Sequence, residues 1–257
     1  MTICFIGNSH VAALKEGADA FPLPVTYFYA PGQHLRDLVV QDGQLMPAQE
    51  RSRVMMQSRS EIPGRQVKAS VTLADHSAFV VVGFGLSALL AATTYQTHRL
   101  WQDEAPGTSM ISEAALHDAL VAKVRDGAAF RVARLVRAHT ERPVLIVAQP
   151  APSESIRDAR PRTPLQKSAV KAWRPFIDAG VAGRVLPVYD RAVMSAAAAD
   201  GVKIVLQDPE TMVGAFTRAE FQRESDDLRH GNAEYGRRMM ARLHAAVRDD
   251  NIGVAAV

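Results

Sequence analysis

The sequence predicts an α/β fold, a parallel sheet wrapped by helices. Two observations carry this. Short, continuously apolar, β-branched runs end at glycine or proline, and they alternate with segments of helical spacing. No Pro/Gly/Ser-rich linker, internal repeat or low-complexity tract interrupts them. A single domain over residues 1–257 is therefore expected, with surface excursions at about 43–70 and 151–166.

Residues 2–6 are apolar and end at Gly7, which reads as a strand buried on both faces. Residues 11–20 read as a helix, so strand, tight turn and helix open the chain. A second strand, 25–29, stops at Ala30-Pro31-Gly32. Residues 38–45 carry an Asp42-Gly43 turn and read as a hairpin. Residues 47–70 are polar and arginine-rich without a clear period, an excursion on the surface. Residues 78–82 form the clearest buried strand, running into Gly83-Phe84-Gly85, and a helix is expected from Leu86. Residues 112–138 read as one long helix opening at Ser112-Glu113. A fourth strand, 143–148, ends at Gln149-Pro150. Residues 151–166 are rich in proline and charge and read as an irregular loop or flap. Because it comes after the carboxyl end of a strand, this loop is expected near Ser9. Helices are expected at 166–179, interrupted or ended near Pro175, and at 194–199. A fifth strand covers 202–206, ending at Gln207-Asp208-Pro209, and a last helix 233–248.

Composition narrows the function classes. The 257 residues are 47% hydrophobic and 22% charged, ordinary for a globular protein long enough to bury a full core. Net charge is +3, carried mostly by scattered arginine with no basic block, so no nucleic-acid partner is expected. The lone cysteine, Cys4, sits in the first apolar run, reads as a small buried hydrophobe, and fits a reducing compartment. The apolar stretch Ile3–Ile6 is too short for a signal peptide, and no run approaches the ~20 residues of a membrane span. A cytoplasmic protein without a membrane partner is expected. Histidines 10, 34, 76, 98, 117, 139 and 244 show no H-x-x-x-H or H-E-x-x-H pairing, so no metal is expected.

In an open parallel sheet, ligands bind beyond the carboxyl ends of the strands. The residues there are Gly7-Asn8-Ser9-His10, Ala30-Pro31-Gly32, Gly83-Phe84-Gly85, Gln149-Pro150 and Gln207-Asp208. Ser9 stands after a buried strand, where a helix begins. Its hydroxyl is a candidate nucleophile beside free backbone N–H groups, or a plain helix cap. A serine needs a base, usually histidine, and the imidazole needs a carboxylate to fix its tautomer. Asp227-Leu228-Arg229-His230, in a turn ahead of the last helix, supplies such a pair at D-x-x-H spacing.

Gly7-Asn8-Ser9 resembles the G-D-S nucleophile block of the SGNH (GDSL-like) hydrolase family, with Asn8 where aspartate is commoner. Asp227-Leu228-Arg229-His230 resembles its D-x-x-H block, and Gly32 its second-block glycine. The resemblance implies a three-layer α/β/α sandwich on a five-stranded parallel sheet, flavodoxin-like. It also implies Ser9, His230 and Asp227 as catalytic residues, an oxyanion hole from the Ser9 and Gly32 N–H groups, and no cofactor. The third block departs. The family's G-x-N-D becomes Gly83-Phe84-Gly85-Leu86, so Gly85 stands where an asparagine side chain completes the hole. Losing one such donor costs about 100- to 1,000-fold in turnover. Three readings stand: Ser87, Gln149 or Asn8 substitutes as donor, the two N–H groups suffice, or hydrolysis has been lost.

The expected activity is an esterase or deacylase acting through an acyl-enzyme on a small-molecule or carbohydrate ester, and the resemblance implies an O-acylated carbohydrate as substrate. Acyl transfer to a sugar hydroxyl uses the same machinery. Asn8, His10 and Gln149 are the candidate substrate contacts. His10 is expected to face away from the Ser9 side chain, since helix neighbours do not share a face. Trp101 and Trp173 are candidates for a pocket wall or for packing. Two other classes stand beside this one. The first is a non-catalytic binding protein on the same fold. The second is a dinucleotide site at Gly83-x-Gly85-x-x-Ala88, which needs an acidic residue such as Asp103 or Glu104 ending the next strand; 97–106 does not read as a strand.

Overall fold

A computed structural model describes residues 2–18, 24–57, 68–103, 109–224 and 227–254. Five apolar runs form the parallel sheet: β1 Ile3–Gly7, β2 Val25–Tyr29, β3 Ala78–Val82, β4 Val144–Val147 and β5 Lys203–Val205. Their order is β5-β4-β3-β1-β2, every pairing parallel. This is the flavodoxin-like order, and its direction reverses between β1 and β3. All five predicted strands are present, each within a residue or so of its predicted bounds.

Alternation within the strands builds three layers. Ile3, Phe5, Tyr27, Tyr29, Val80, Val82, Leu145 and Val147 point to one face. There they meet helices α1 (Val11–Gly17) and α8 (Ala233–Val254). Cys4, Ile6, Phe28, Phe79, Val81, Val144 and Ile146 point to the other. On that side lie α3 (Leu89–Thr97), α4 (Glu113–Asp126), α5 (Ala128–Arg137), α6 (Pro164–Asp178) and α7 (Ala182–Ala199), which share one apolar core with it; α5 and α7 pack on the strands, α6 on α3 and α4 on α7. Strands covered on both sides need apolar residues at every position, which is why these runs do not alternate in polarity.

Several boundaries differ from expectation. The predicted helix 112–138 is two helices, α4 and α5. Ser112 caps the first, accepting the Ala115 N–H, and Gly127, extended at φ −65° and ψ 154°, ends it. The helix expected from Leu86 begins at Leu89, because residues 83–86 form a turn. Pro175 lies inside α6 without ending it, and α7 starts a dozen residues before Met194 with Pro187 inside it. The 38–45 hairpin is real: strands Leu38–Gln41 and Gln44–Pro47 pair antiparallel and gain a third strand, Val71–Thr72. The excursion after it contains α2 (Glu50–Gln57), whose Met56 is buried in the core; residues 58–67 lie outside the described residues, as do 19–20 of the first predicted helix. Cys4 is buried and free, and burial pushes its thiol pKa up.

The seam between α1 and α8 ties the two ends of the chain together. At Gly17 and Gly236 the two helices touch backbone to backbone. A Cβ at Gly236 would overlap the Ala13 carbonyl, and one at Gly17 the backbone of Arg237 and Gly236. Only glycine permits that approach. Since α1 starts just after Ser9 and α8 just after His230, the seam fixes these two residues' segments relative to each other. Among the described residues no helix is long and apolar enough to cross a membrane.

Candidate functional site

Ser9 leaves β1 at its carboxyl end. Its Oγ makes no helix-capping bond; the cap position of α1 is His10, which makes no side-chain cap bond either. Instead the Ser9 Oγ lies 2.9 Å from His230 Nε2. His230 Nδ1 lies 2.7 Å from Asp227 Oδ2 and 3.0 Å from its Oδ1. With the Nδ1 proton donated to the carboxylate, Nε2 is free to accept from the serine hydroxyl. Side chains from opposite ends of the chain, 221 positions apart for Ser9 and His230, are thus joined in one relay.

Asp227 holds its place by local bonds. Its Oδ1 also accepts the backbone N–H of Arg229 at 3.1 Å and of His230 at 3.2 Å, the fold-back expected of D-x-x-H spacing. Burial alone would raise its carboxyl pKa. The hydrogen bond and charge of His230, with the two backbone N–H groups, outweigh burial and hold it below the ordinary value. The loop itself is braced: Arg223 donates its backbone N–H to the His230 carbonyl, and Ser153 to that of Leu228. Asn232 then caps α8, accepting the Tyr235 N–H at 3.0 Å.

His10 does not face away. Its ring lies on that of His230, centroids 4.5 Å apart and tilted 32°. Burial, then the neighbouring charges of His230 and Arg229, push its pKa down to about 3. The expectation of separate faces considered α1 alone, whereas His230 arrives from another element and covers both residues. Asn8 turns inward: its Oδ1 accepts the His10 N–H at 3.3 Å and packs on Gly83.

After β3, Gly83, Phe84 and Gly85 all have positive φ, +81°, +51° and +76°. The Leu86 N–H closes this turn on the Gly83 carbonyl at 3.0 Å. A Cβ at Gly83 would strike Asn8, so the two loops flanking the sheet's switch point interlock through that glycine. Gly85 differs, because a Cβ there would meet nothing within 4 Å. It opens onto a cavity of about 390 Å³, in the range of small-molecule sites, whose wall includes Ser87, Gln149, Trp173 and Arg229.

Among the described residues the backbone N–H groups of Ser9, Gly32 and Gly85 have no protein acceptor. Gly32 opens a short 3-10 turn, Gly32–Leu35, with free space where a side chain would project. Gln149 donates its backbone N–H to the Leu86 carbonyl at 2.8 Å, tying the end of β4 to the turn after β3. Among the described residues its side chain makes no hydrogen bond. It lines the cavity beside Gly85, and a second one of about 520 Å³. Ser87 Oγ accepts the Leu89 N–H at the start of α3.

The 151–166 segment lies where expected, on the Ser9 side. Thr163 lines a hollow with Asp227 and His230, and Ser153 another with His230. Gln207, also just past a strand, is a brace: it bonds Thr211, Thr217 and the Ala151 N–H. Trp173 is both wall and packing, buried edge-on against Phe176, while Trp101 is exposed. The dinucleotide reading fails on its acidic residue. A three-residue strand, His98–Leu100, does exist in the 97–106 stretch, but it pairs with Ser109–Ile111 outside the main sheet. Asp103 there is bound by Arg184, and Glu104 lies outside the described residues.

No protein-family model matches the chain, and no curated protein matches it. Among solved structures it is similar to a protein named an acylhydrolase from Bacteroides fragilis, at 12% identity and a TM-score of 0.46. That match covers 97% of this chain and 87% of the other. It is also similar to a GDSL-like lipase from Bacteroides thetaiotaomicron, at 12% identity and a TM-score of 0.44, covering 97% and 88%.

Proposed function

We propose that the protein is a serine-dependent ester hydrolase or deacylase of the SGNH type, working through an acyl-enzyme. The observation that carries this reading is the Ser9–His230–Asp227 relay, at hydrogen-bond distance throughout and set at the carboxyl edge of a parallel sheet. Ser9 Oγ attacks the ester carbonyl while its proton passes to His230 Nε2. The imidazolium is stabilised by Asp227, and the tetrahedral intermediate collapses as Nε2 returns that proton to the leaving alcohol. Water then enters, loses a proton to Nε2 and cleaves the acyl-enzyme, restoring Ser9.

The oxyanion is received by the N–H groups of Ser9 and Gly32. In place of the missing asparagine we assign the Gln149 side-chain amide, which shares the Gly85 cavity and has no other partner among the described residues. Ser87 and Asn8 are less suited, since both already serve local bonds. Asn8 interlocks the site loops and His10 supports the His230 ring. An O-acylated carbohydrate is the substrate class the family resemblance suggests, and transfer of the acyl group to a sugar hydroxyl would use the same steps.

Fluorophosphonate labelling tests the reading. Labelling mapped to Ser9, absent in Ser9→Ala and His230→Ala, is the expected result. A folded wild-type protein that takes no label would overturn it and favour the non-catalytic binding protein that the Gly85 departure suggests.

A further inference from the structure

Leu228 and Arg229 separate Asp227 from His230, and they point opposite ways. Leu228 is buried in the core. Arg229 is exposed beside the relay and lines both the Gly85 cavity and the hollow of about 200 Å³ bounded by Asp227 and His230. Of the described residues lining the Gly85 cavity it alone carries a charge; the others are apolar or neutral, among them Ser87, Gln149 and Trp173. Among the described residues its guanidinium has no carboxylate within ion-pair distance and makes no hydrogen bond. Many other arginines are engaged: Arg223 by Glu16, Arg238 by Glu210, Arg125 and Arg134 by Asp200.

The guanidinium's charge is therefore left without a counter-ion among the described residues, at the edge of a cavity that no other charged residue lines, and a bound anion would supply one. Guanidinium presents a planar fork of donors that matches carboxylate or phosphate oxygens bidentately, and a wall with low polarity strengthens the pairing. We therefore propose that Arg229 is a specificity residue, and that the natural ester carries an anionic group, carboxylate or phosphate, which Arg229 holds in the Gly85 cavity. This rests on the hydrolase reading and names its substrate class.

Matched esters test it. 4-Nitrophenyl butyrate is compared with mono-4-nitrophenyl succinate for an anion on the acyl side. 4-Methylphenyl acetate is compared with 4-acetoxybenzoate for one on the leaving side. The readout is the anionic-to-neutral ratio of kcat/KM, in which any general loss of activity cancels. In Arg229→Ala the ratio of one pair is expected to fall by about 10- to 100-fold, the worth of a charge-assisted bond, mostly through KM. Arg229→Lys is expected to recover part of it. Unchanged ratios in both pairs, together with no calorimetric binding of inorganic phosphate that Arg229→Ala abolishes, would overturn the proposal. If no ester is turned over and Ser9 takes no fluorophosphonate label, it is the hydrolase reading that has failed. Calorimetric titration with succinate and with inorganic phosphate then tests Arg229 directly. Binding lost in Arg229→Ala upholds an anion site and tells carboxylate from phosphate; no binding of either by the wild type overturns it.

Discussion

At the scale of single residues, the candidate site is assembled from side chains that would otherwise be ordinary. Ser9 would be a helix cap, His230 a surface imidazole and Asp227 a turn residue, but each uses its bonding capacity on the next. His10 is the instructive neighbour. Its pKa of about 3 lies below the ordinary 6.5, so the unfolded chain binds a proton here that the folded chain refuses. Its contribution to stability is present above pH 6.5 and is lost as pH falls from there to about 3. Replacing it by phenylalanine keeps a ring against His230 and removes this titration. Urea midpoints for His10→Phe are expected to drop less than wild type between pH 7 and pH 4. An equal drop in both would show that His10 is not the titrating group. With its amide assigned to the oxyanion, Gln149→Ala is expected to lower kcat by about 100-fold. Gly85→Asn placed in that background should restore turnover, since the site has room and asparagine tolerates positive φ better than most residues. Failure of both variants to move kcat would leave the backbone N–H groups as the whole hole.

At the scale of elements, two helices begin where the candidate chemistry is. α1 starts after Ser9 and α8 after His230, and the Gly17–Gly236 contact locks them at backbone distance. Even one added methyl must push the helices apart. Gly236→Ala is expected to cost about 1–3 kcal/mol, the usual range for overpacking, read as a lowered urea midpoint at unchanged slope. Because the same displacement moves Ser9 against His230, ester turnover should fall in the fraction that remains folded. Full activity with lowered stability would show that the relay does not depend on this seam. The turn after β3 acts similarly from the other side, with Gly83 seating Asn8 and so the loop that carries Ser9.

At the scale of the molecule, the reversal of strand order between β1 and β3 opens a crevice at the sheet's carboxyl edge. From one side of it Ser9 bonds His230 of the returning 227–230 loop, and from the other Gly85 lines a cavity together with Arg229 of that loop. The sequence by itself determined the five strands, because a strand covered on both faces must be apolar throughout and such runs are legible. It also singled out Ser9, Asp227 and His230 as candidates, since D-x-x-H before a helix and a serine after the first strand are local patterns. Helix boundaries were less legible. Pro175 and Pro187 lie inside helices held by packing on neighbouring elements, α6 on α3 and α7 on α4, and α7 extends well before its alanine-rich end. Only the tertiary structure decided the stacking of His10 on His230, the fit of two glycines across α1 and α8, and the placing of Arg229 in the Gly85 cavity. Each of these depends on the relative position of segments far apart along the chain, and that position is set by the packing of layers rather than by any periodicity in the sequence.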